Sequence, residues 1–190
     1  MDRYALGLAQ VVLLAGCVAS PAHAQDQFAD SERASRTSTF ENRPAFGGLS
    51  QIAWPSQHWS ANTFFIVYRG QYPDQTSYWV IRRVTGSPNI EPAVVWADSR
   101  HCPAVEQTLI AMEQLPAIRP DASKIGEEAA NIGLVLDGTH HVFWNRWARY
   151  GERDANVGLE VSGNVNSPIA EWWSANVANL ESCWRDEPPT

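Results

Sequence analysis

Residues 93–115, AVVWADSRHCPAVEQTLIAMEQL, decide how this chain folds, because they pass from strand to helix within one cysteine-bearing turn. Residues 93–97 are a short apolar run that reads as a strand. Pro103 has the fixed φ and missing N–H that suit a first helical position, and it opens a segment with Val105, Leu109, Met112 and Leu115 on one stripe. Pro116 ends that segment.

Before this stretch, residues 63–69 and 78–84 are aromatic and β-branched, so three strands lead into one helix. After it the order recurs. Residues 132–136, 141–150 and 157–161 read as strands. Ser167 is a good N-cap and Pro168 a good first helical residue, opening a helix with Ile169, Trp173, Val177 and Leu180 on one face. Trp172 adjoins Trp173, so one of the two is expected at the margin of the core. At a constant offset of 65 residues Trp79 meets Trp144, Pro103 meets Pro168, Glu106 meets Glu171, and Leu115 meets Leu180, while Tyr78 meets Phe143. Any two strand-rich, helix-capped segments share a few such matches, so the repeated order is better founded than a common ancestry of the halves. Two amphipathic helices on one face of a mainly antiparallel sheet of about six strands give a two-layer α+β domain, β-β-β-α traversed twice.

That domain is expected over residues 51–184. Residues 25–50 are polar, with few apolar side chains to offset the entropy of ordering, and read as a disordered tether. Residues 185–190, which include Pro188 and Pro189, read as a disordered tail. At the other end, Asp2 and Arg3 precede an apolar stretch over residues 4–19, shorter than the roughly 20 residues of an anchor helix. Residues 1–24 therefore read as an export signal. Two processing routes fit it. Ala22, His23 and Ala24 form a small-x-small triplet before Gln25. Leu14, Ala15, Gly16 and Cys17 form a lipobox, in which the Cys17 thiol takes a lipid and becomes the new N-terminus.

Cysteine counting follows from the signal. Of three cysteines, Cys17 is either discarded or acylated, leaving Cys102 and Cys183. An isolated pair in an oxidising compartment is expected as a disulfide. The chain is thus expected in the periplasm, either free or as an outer-membrane lipoprotein whose only membrane contact is the lipid.

Composition narrows the partners. The formal charge is −7 with a single lysine, Lys124, which argues against nucleic acid. Nine tryptophans in a chain that is 44% hydrophobic supply ample core volume. Among polar candidates, Asp137, Gly138, Thr139, His140 and His141 suggest a metal cluster. However, Asp-Gly between apolar runs signals a hairpin, and consecutive strand residues such as His140 and His141 face opposite ways. No metal or cofactor is expected. Asp98, Ser99, Arg100 and His101 invite a hydrolase reading, which needs these groups, or His140, to converge in one pocket. Tyr78 and Arg82 share one face of their strand, as Trp147 and Arg149 share one face of theirs. Together they suggest an aromatic and basic surface for an acidic or glycan ligand. The leading expectation is an exported, noncatalytic envelope domain that binds an envelope protein or a cell-wall glycan on this surface. The alternative is a periplasmic hydrolase built around Asp98 and His101.

Overall fold

The strand-to-helix turn of residues 93–115 forms as the sequence dictates. In the computed structural model, which describes residues 21–116, 138–150 and 153–190, strand β6 (Ile90–Asp98) leads through Cys102 into α2 (Pro103–Ile110), extended by a 3-10 turn at Ala111–Gln114. Before it come α1 (Pro21–Thr37), the short strands β1 (Thr39–Phe40) and β2 (Arg43–Pro44), then β3 (Gly47–Trp54), β4 (Trp59–Arg69) and β5 (Thr76–Ser87). After it come β7 (Gly138–Tyr150), β8 (Arg153–Gly163) and α3 (Pro168–Val177), followed by a 3-10 turn at Ala178–Cys183. The expected strand over residues 132–136 and the connection over 117–131 lie outside the described residues.

Six strands form one sheet in the order β6-β5-β4-β3-β7-β8, and every neighbouring pair is antiparallel. The α+β class holds, with α2 and α3 packed on one face. There Phe46, Leu49, Phe64, Ile81, Phe143, Val105, Leu109, Trp172, Trp173 and Leu180 close a continuous core. Each such side chain contributes about 1.5–3 kcal/mol on full burial. Both adjacent tryptophans are buried, contrary to expectation. Trp172 reaches α2, donating Nε1–H to the Thr108 carbonyl at 3.2 Å, while Trp173 turns toward Arg83, 5.7 Å from the ring centroid. A helix covered on two sides gives neighbouring positions separate cover.

The supposed tether is part of the domain. Helix α1 buries Ala24 and, one turn on, Phe28, which packs with Ile52, Trp59 and Val84 on the sheet face opposite α2 and α3. A third layer results. Strand β3, half of which falls within the expected tether, is central, between β4 and β7. Its glycines look like linker residues but serve close packing: a Cβ at Gly48 would lie 2.7 Å from the Asn62 carbonyl oxygen and 2.7 Å from Trp144 Nε1. The tail is also engaged. Arg185 exchanges two backbone hydrogen bonds of 2.8 Å with Trp96, and the Thr190 carbonyl accepts from Arg100 at 2.9 Å.

The disulfide forms between Cys102 and Cys183, with Cα atoms 5.7 Å apart, and ties the N-cap of α2 to the end of the turn after α3. Outward from the central strands β3 and β4, each half runs through a hairpin into a helix: β5, β6, α2 on one side and β7, β8, α3 on the other. Pro103 and Pro168 occupy matching helix starts. The strands do not keep the same offset, since Trp79 packs against the core under α2 and α3 whereas Trp144 belongs to the cluster on the opposite face.

Candidate binding surface

Strand alternation sorts the candidate residues by face. On β5, Ile81 enters the core under α2 and α3, so Tyr78, Val80 and Arg82 face the α1 side. On β7, Phe143 enters that core, and past a register shift between Asn145 and Ala148 the contact of Trp147 with Phe46, a member of the same core, keeps Trp147 on the side of α3. There Trp147, 53% exposed, stacks on Phe46 with centroids 6.2 Å apart and planes 7° apart. The four proposed residues therefore do not form one surface. Tyr78 and Arg82 lie together on one face, Trp147 lies on the other, and the Arg149 side chain is outside the described residues. Sharing a strand face does not fix which sheet face that is; the buried neighbours Ile81 and Phe143 do.

What surrounds Tyr78 and Arg82 was not anticipated. The β1–β2 hairpin turns through Glu41 and Asn42, at φ 48° and 60°, the left-handed conformations a two-residue hairpin loop requires. This turn lays Phe40 against Phe65 and Trp96, at centroid distances of 5.8 and 5.3 Å. It also brings Glu41 to Arg69 and to the Tyr78 hydroxyl, which donates to it at 3.2 Å. Tyr78 is buried between two guanidinium groups, Arg100 at 3.9 Å and Arg69 at 5.7 Å from its ring. Burial raises its pKa and Glu41 adds to this, against the opposing pull of Arg100 and Arg69. Arg43 lies 5.0 Å over the ring of Tyr68, and Arg82 lies 5.8 Å over Trp96, its cross-strand partner.

Neutralisation across this face is uneven. Glu41 pairs with Arg69, Asp98 with Arg100, and Glu32 and Glu160 with Arg36. Among the described residues, no carboxylate stands within salt-bridge distance of Arg82 or Arg43. Arg82 is half-buried, and desolvation lowers its pKa without a compensating acid. Its sequence neighbour Arg83 points into the opposite layer. There it donates from Nε to Asn62 Oδ1 at 2.9 Å and lies 4.0 Å over the Trp184 ring, burial lowering its pKa to about 10 against the opposing pull of Glu181. Arg83 is a packed core cation; Arg82 is an open one.

The polar turn before α2 is ordered by Asp98. Its Oδ2 lies 2.9 Å from His101 Nδ1, and its Oδ1 accepts from the Arg100 backbone at 3.0 Å and from Arg100 Nε at 3.1 Å. Burial would raise the carboxyl's pKa, but the His101 and Arg100 hydrogen bonds outweigh it and hold the group below its usual value. His101 is 76% exposed. Ser99 Oγ accepts from the Trp79 N–H at 2.9 Å and so serves the β5–β6 pairing. His140 sits on β7, four strand spacings from β6, a separation of roughly 19 Å. It pairs with Asn164 Oδ1 at 3.2 Å. Asp98 and His101 thus converge, while Ser99 and His140 do not join them. His141 is buried under α3, facing away from His140, and among the described residues no group of three or more metal-ligating side chains assembles.

Of the surface residues missed in the sequence, Trp96 had a signal: it adjoins the buried Ala97 in the same strand, so it must face the other way. Arg69, Arg100 and Glu41 had none: the β4–β5 pairing, the turn before α2 and the β1–β2 hairpin respectively bring them to Tyr78. Comparison with protein-family models, with curated proteins and with solved structures yields no match. No helix of the described residues is long and apolar enough to cross a membrane.

Proposed function

We infer that this chain is an exported, noncatalytic binding domain, and that its ligand is a carboxylate-bearing cell-wall glycan held on the Arg82–Trp96 surface. The observation that carries this reading is Arg82, a half-buried guanidinium 5.8 Å over the Trp96 ring with no carboxylate of the described residues within salt-bridge distance, in a chain of net charge −7. A guanidinium supplies a planar fork of donors to a carboxylate, and aromatic faces beside it accept the apolar face of a sugar ring. Co-sedimentation with purified cell-wall sacculi tests the reading. The wild-type domain is expected to pellet with them and the Arg82→Ala domain to stay in solution. Equal pelleting of the two, or pelleting of neither, overturns it.

Export is supported by the apolar start of the chain and by the disulfide. Between the two processing routes, helix α1 favours lipidation of Cys17. Ala24 is buried on α1, so a cut after Ala24 would remove a packed residue from that helix, whereas a cut before Cys17 keeps it. The domain would then stand close to a membrane surface. The mass of the mature N-terminus checks this route: a diacylated Cys17 is expected, and a free chain beginning at Gln25 contradicts it.

The 2.9 Å contact between Asp98 and His101 favours a second reading, general-base chemistry at an exposed imidazole. Its test is ester hydrolysis by the purified domain, which His101→Ala would abolish.

A further inference from the structure

Strand pairing brings Trp54 of β3, Trp59 of β4, Gly86 of β5 and Gly138 of β7 to one end of the sheet. The β5–β6 turn before Ile90 and the β8–α3 turn that holds Val165 lie at the same end. There Trp54, Ile90 and Val165 stand 36%, 61% and 37% exposed. One large apolar side chain in water is ordinary on a protein surface, whereas several gathered on the turns of one end mark a contact.

Helix α1 shows what covers them. Phe28 packs with Ile52 and Trp59 near this end, and Arg36, about two turns later, lies over Trp144, whose partner Gly48 is four residues back along β3. The helix thus ascends from the Trp54 end, and Ala24 and Pro21 lie successively farther toward it than Phe28. Pro21 is four residues from Cys17, a span of at most about 14 Å even when fully extended. The opposite end, with Tyr68 and Arg69, is roughly 30 Å from Trp59 along β4, so a domain standing on that end would hold Pro21 beyond the reach of a lipid on Cys17. Charge narrows the leaflet. Among the described residues this end carries Asp26, Glu91 and Glu171 and neither lysine nor arginine, so an anionic surface would repel it and a zwitterionic one would not.

We propose that the end of the domain formed by Trp54, Ile90 and Val165 rests on a zwitterionic bilayer leaflet, these side chains entering its interfacial layer beside the acyl chains of Cys17. The placement rests on the lipidation of Cys17 and not on the Arg82 reading. An indole suits that layer because its ring is apolar and its N–H stays wet. Two acyl chains already hold a protein at a membrane, so the contact sets orientation rather than affinity. The strands then rise from the leaflet, and the Arg82–Trp96 surface stands roughly 20 Å above it, clear of the lipid.

Orientation is therefore the quantity to measure. The full-length gene is expressed with Ile90→Cys, Val165→Cys or Tyr72→Cys, the last at a nearly fully exposed position in the β4–β5 turn at the opposite end. With Cys17 acylated and Cys102 bridged to Cys183, the new cysteine is the one free thiol and takes a nitroxide label. In phosphatidylcholine vesicles, collisions of the label with oxygen, which enters the bilayer, are compared with those of a nickel chelate, which stays in water. The oxygen-to-nickel ratio is expected to be several-fold higher at positions 90 and 165 than at 72, and added phosphatidylglycerol is expected not to raise it. In a protein whose mass shows an acylated Cys17, a ratio at 90 or 165 no higher than at 72, or one that rises with phosphatidylglycerol, overturns the proposal alone. A mass that shows a chain beginning at Gln25 overturns the lipidation reading and this placement with it, and leaves the sacculus test of Arg82 unaffected.

Discussion

Breaking the Cys102–Cys183 bridge should cost as much stability as the larger single core truncations. The cysteines are 81 residues apart, and closing a loop of that length removes denatured-state entropy worth about 4.5 kcal/mol at 25 °C on the chain-entropy relation. The bridge also ties together the two helices of one layer, between the start of α2 and the end of the turn after α3. The perturbation is reduction of the folded domain, with Cys17 replaced by Ser in all samples so that one thiol pair reports. Reduction leaves the buried Cys183 sulfur in place and isolates the cross-link from a packing defect. Urea unfolding followed by tryptophan fluorescence is the assay, and with a slope of about 2 kcal/mol per M the midpoint should fall by about 2 M. The double variant Cys102→Ala/Cys183→Ala should unfold at least as early and should not respond to reductant. A fall below about 0.5 M on reduction would refute the reasoning, since the entropy it rests on would then be absent.

The remaining predictions concern packing and charge. Phe28→Ala removes the centre of the α1 contact and should cost about 3 kcal/mol in urea unfolding, whereas a disordered tether would show no change. A Cβ at Gly86 would lie 2.3 Å from Cζ2 of the buried Trp59, so Gly86→Ala should lower stability by about 1–3 kcal/mol through overpacking, read as a lower thermal midpoint. Two groups set the acid limb of stability. His141 has a lowered folded pKa, so stability should decline as pH falls from its unfolded value near 6.5 through the folded one, and His141→Phe should flatten that limb in a pH series of urea midpoints. Asp98, also lowered, contributes stability above its unfolded pKa of 3.8 that is lost as pH falls through the folded value, a loss Asp98→Asn should remove.

Where the fold was legible, local chemistry spoke for itself. Pro103 and Pro168 open helices because their rings suit that position, and Ser167 caps α3 by accepting from the Ala170 N–H at 3.3 Å. The cysteine pair was legible from parity alone. What could not be read was tertiary in origin. Gly47 and Gly48 resemble a flexible linker until Asn62 and Trp144 are placed against them, and α1 shows only Ala24 and Phe28 as an apolar stripe. Within the candidate surface, Tyr78 and Arg82 were legible as a same-face pair. Their separation from Trp147 was not, because alternation orders residues along a strand without relating one strand's faces to another's.

The proposed function requires Arg82, 5.8 Å over the Trp96 ring and without an acid beside it among the described residues, to take a carboxylate. Calorimetric titration with oligogalacturonate and with its neutral methyl ester, on the wild type and on Arg82→Gln, tests it most directly. The acid form is expected to bind the wild type at least about tenfold more tightly than the ester, and Arg82→Gln is expected to erase this difference. Equal binding of acid and ester by the wild type, or an undiminished preference in Arg82→Gln, would contradict it.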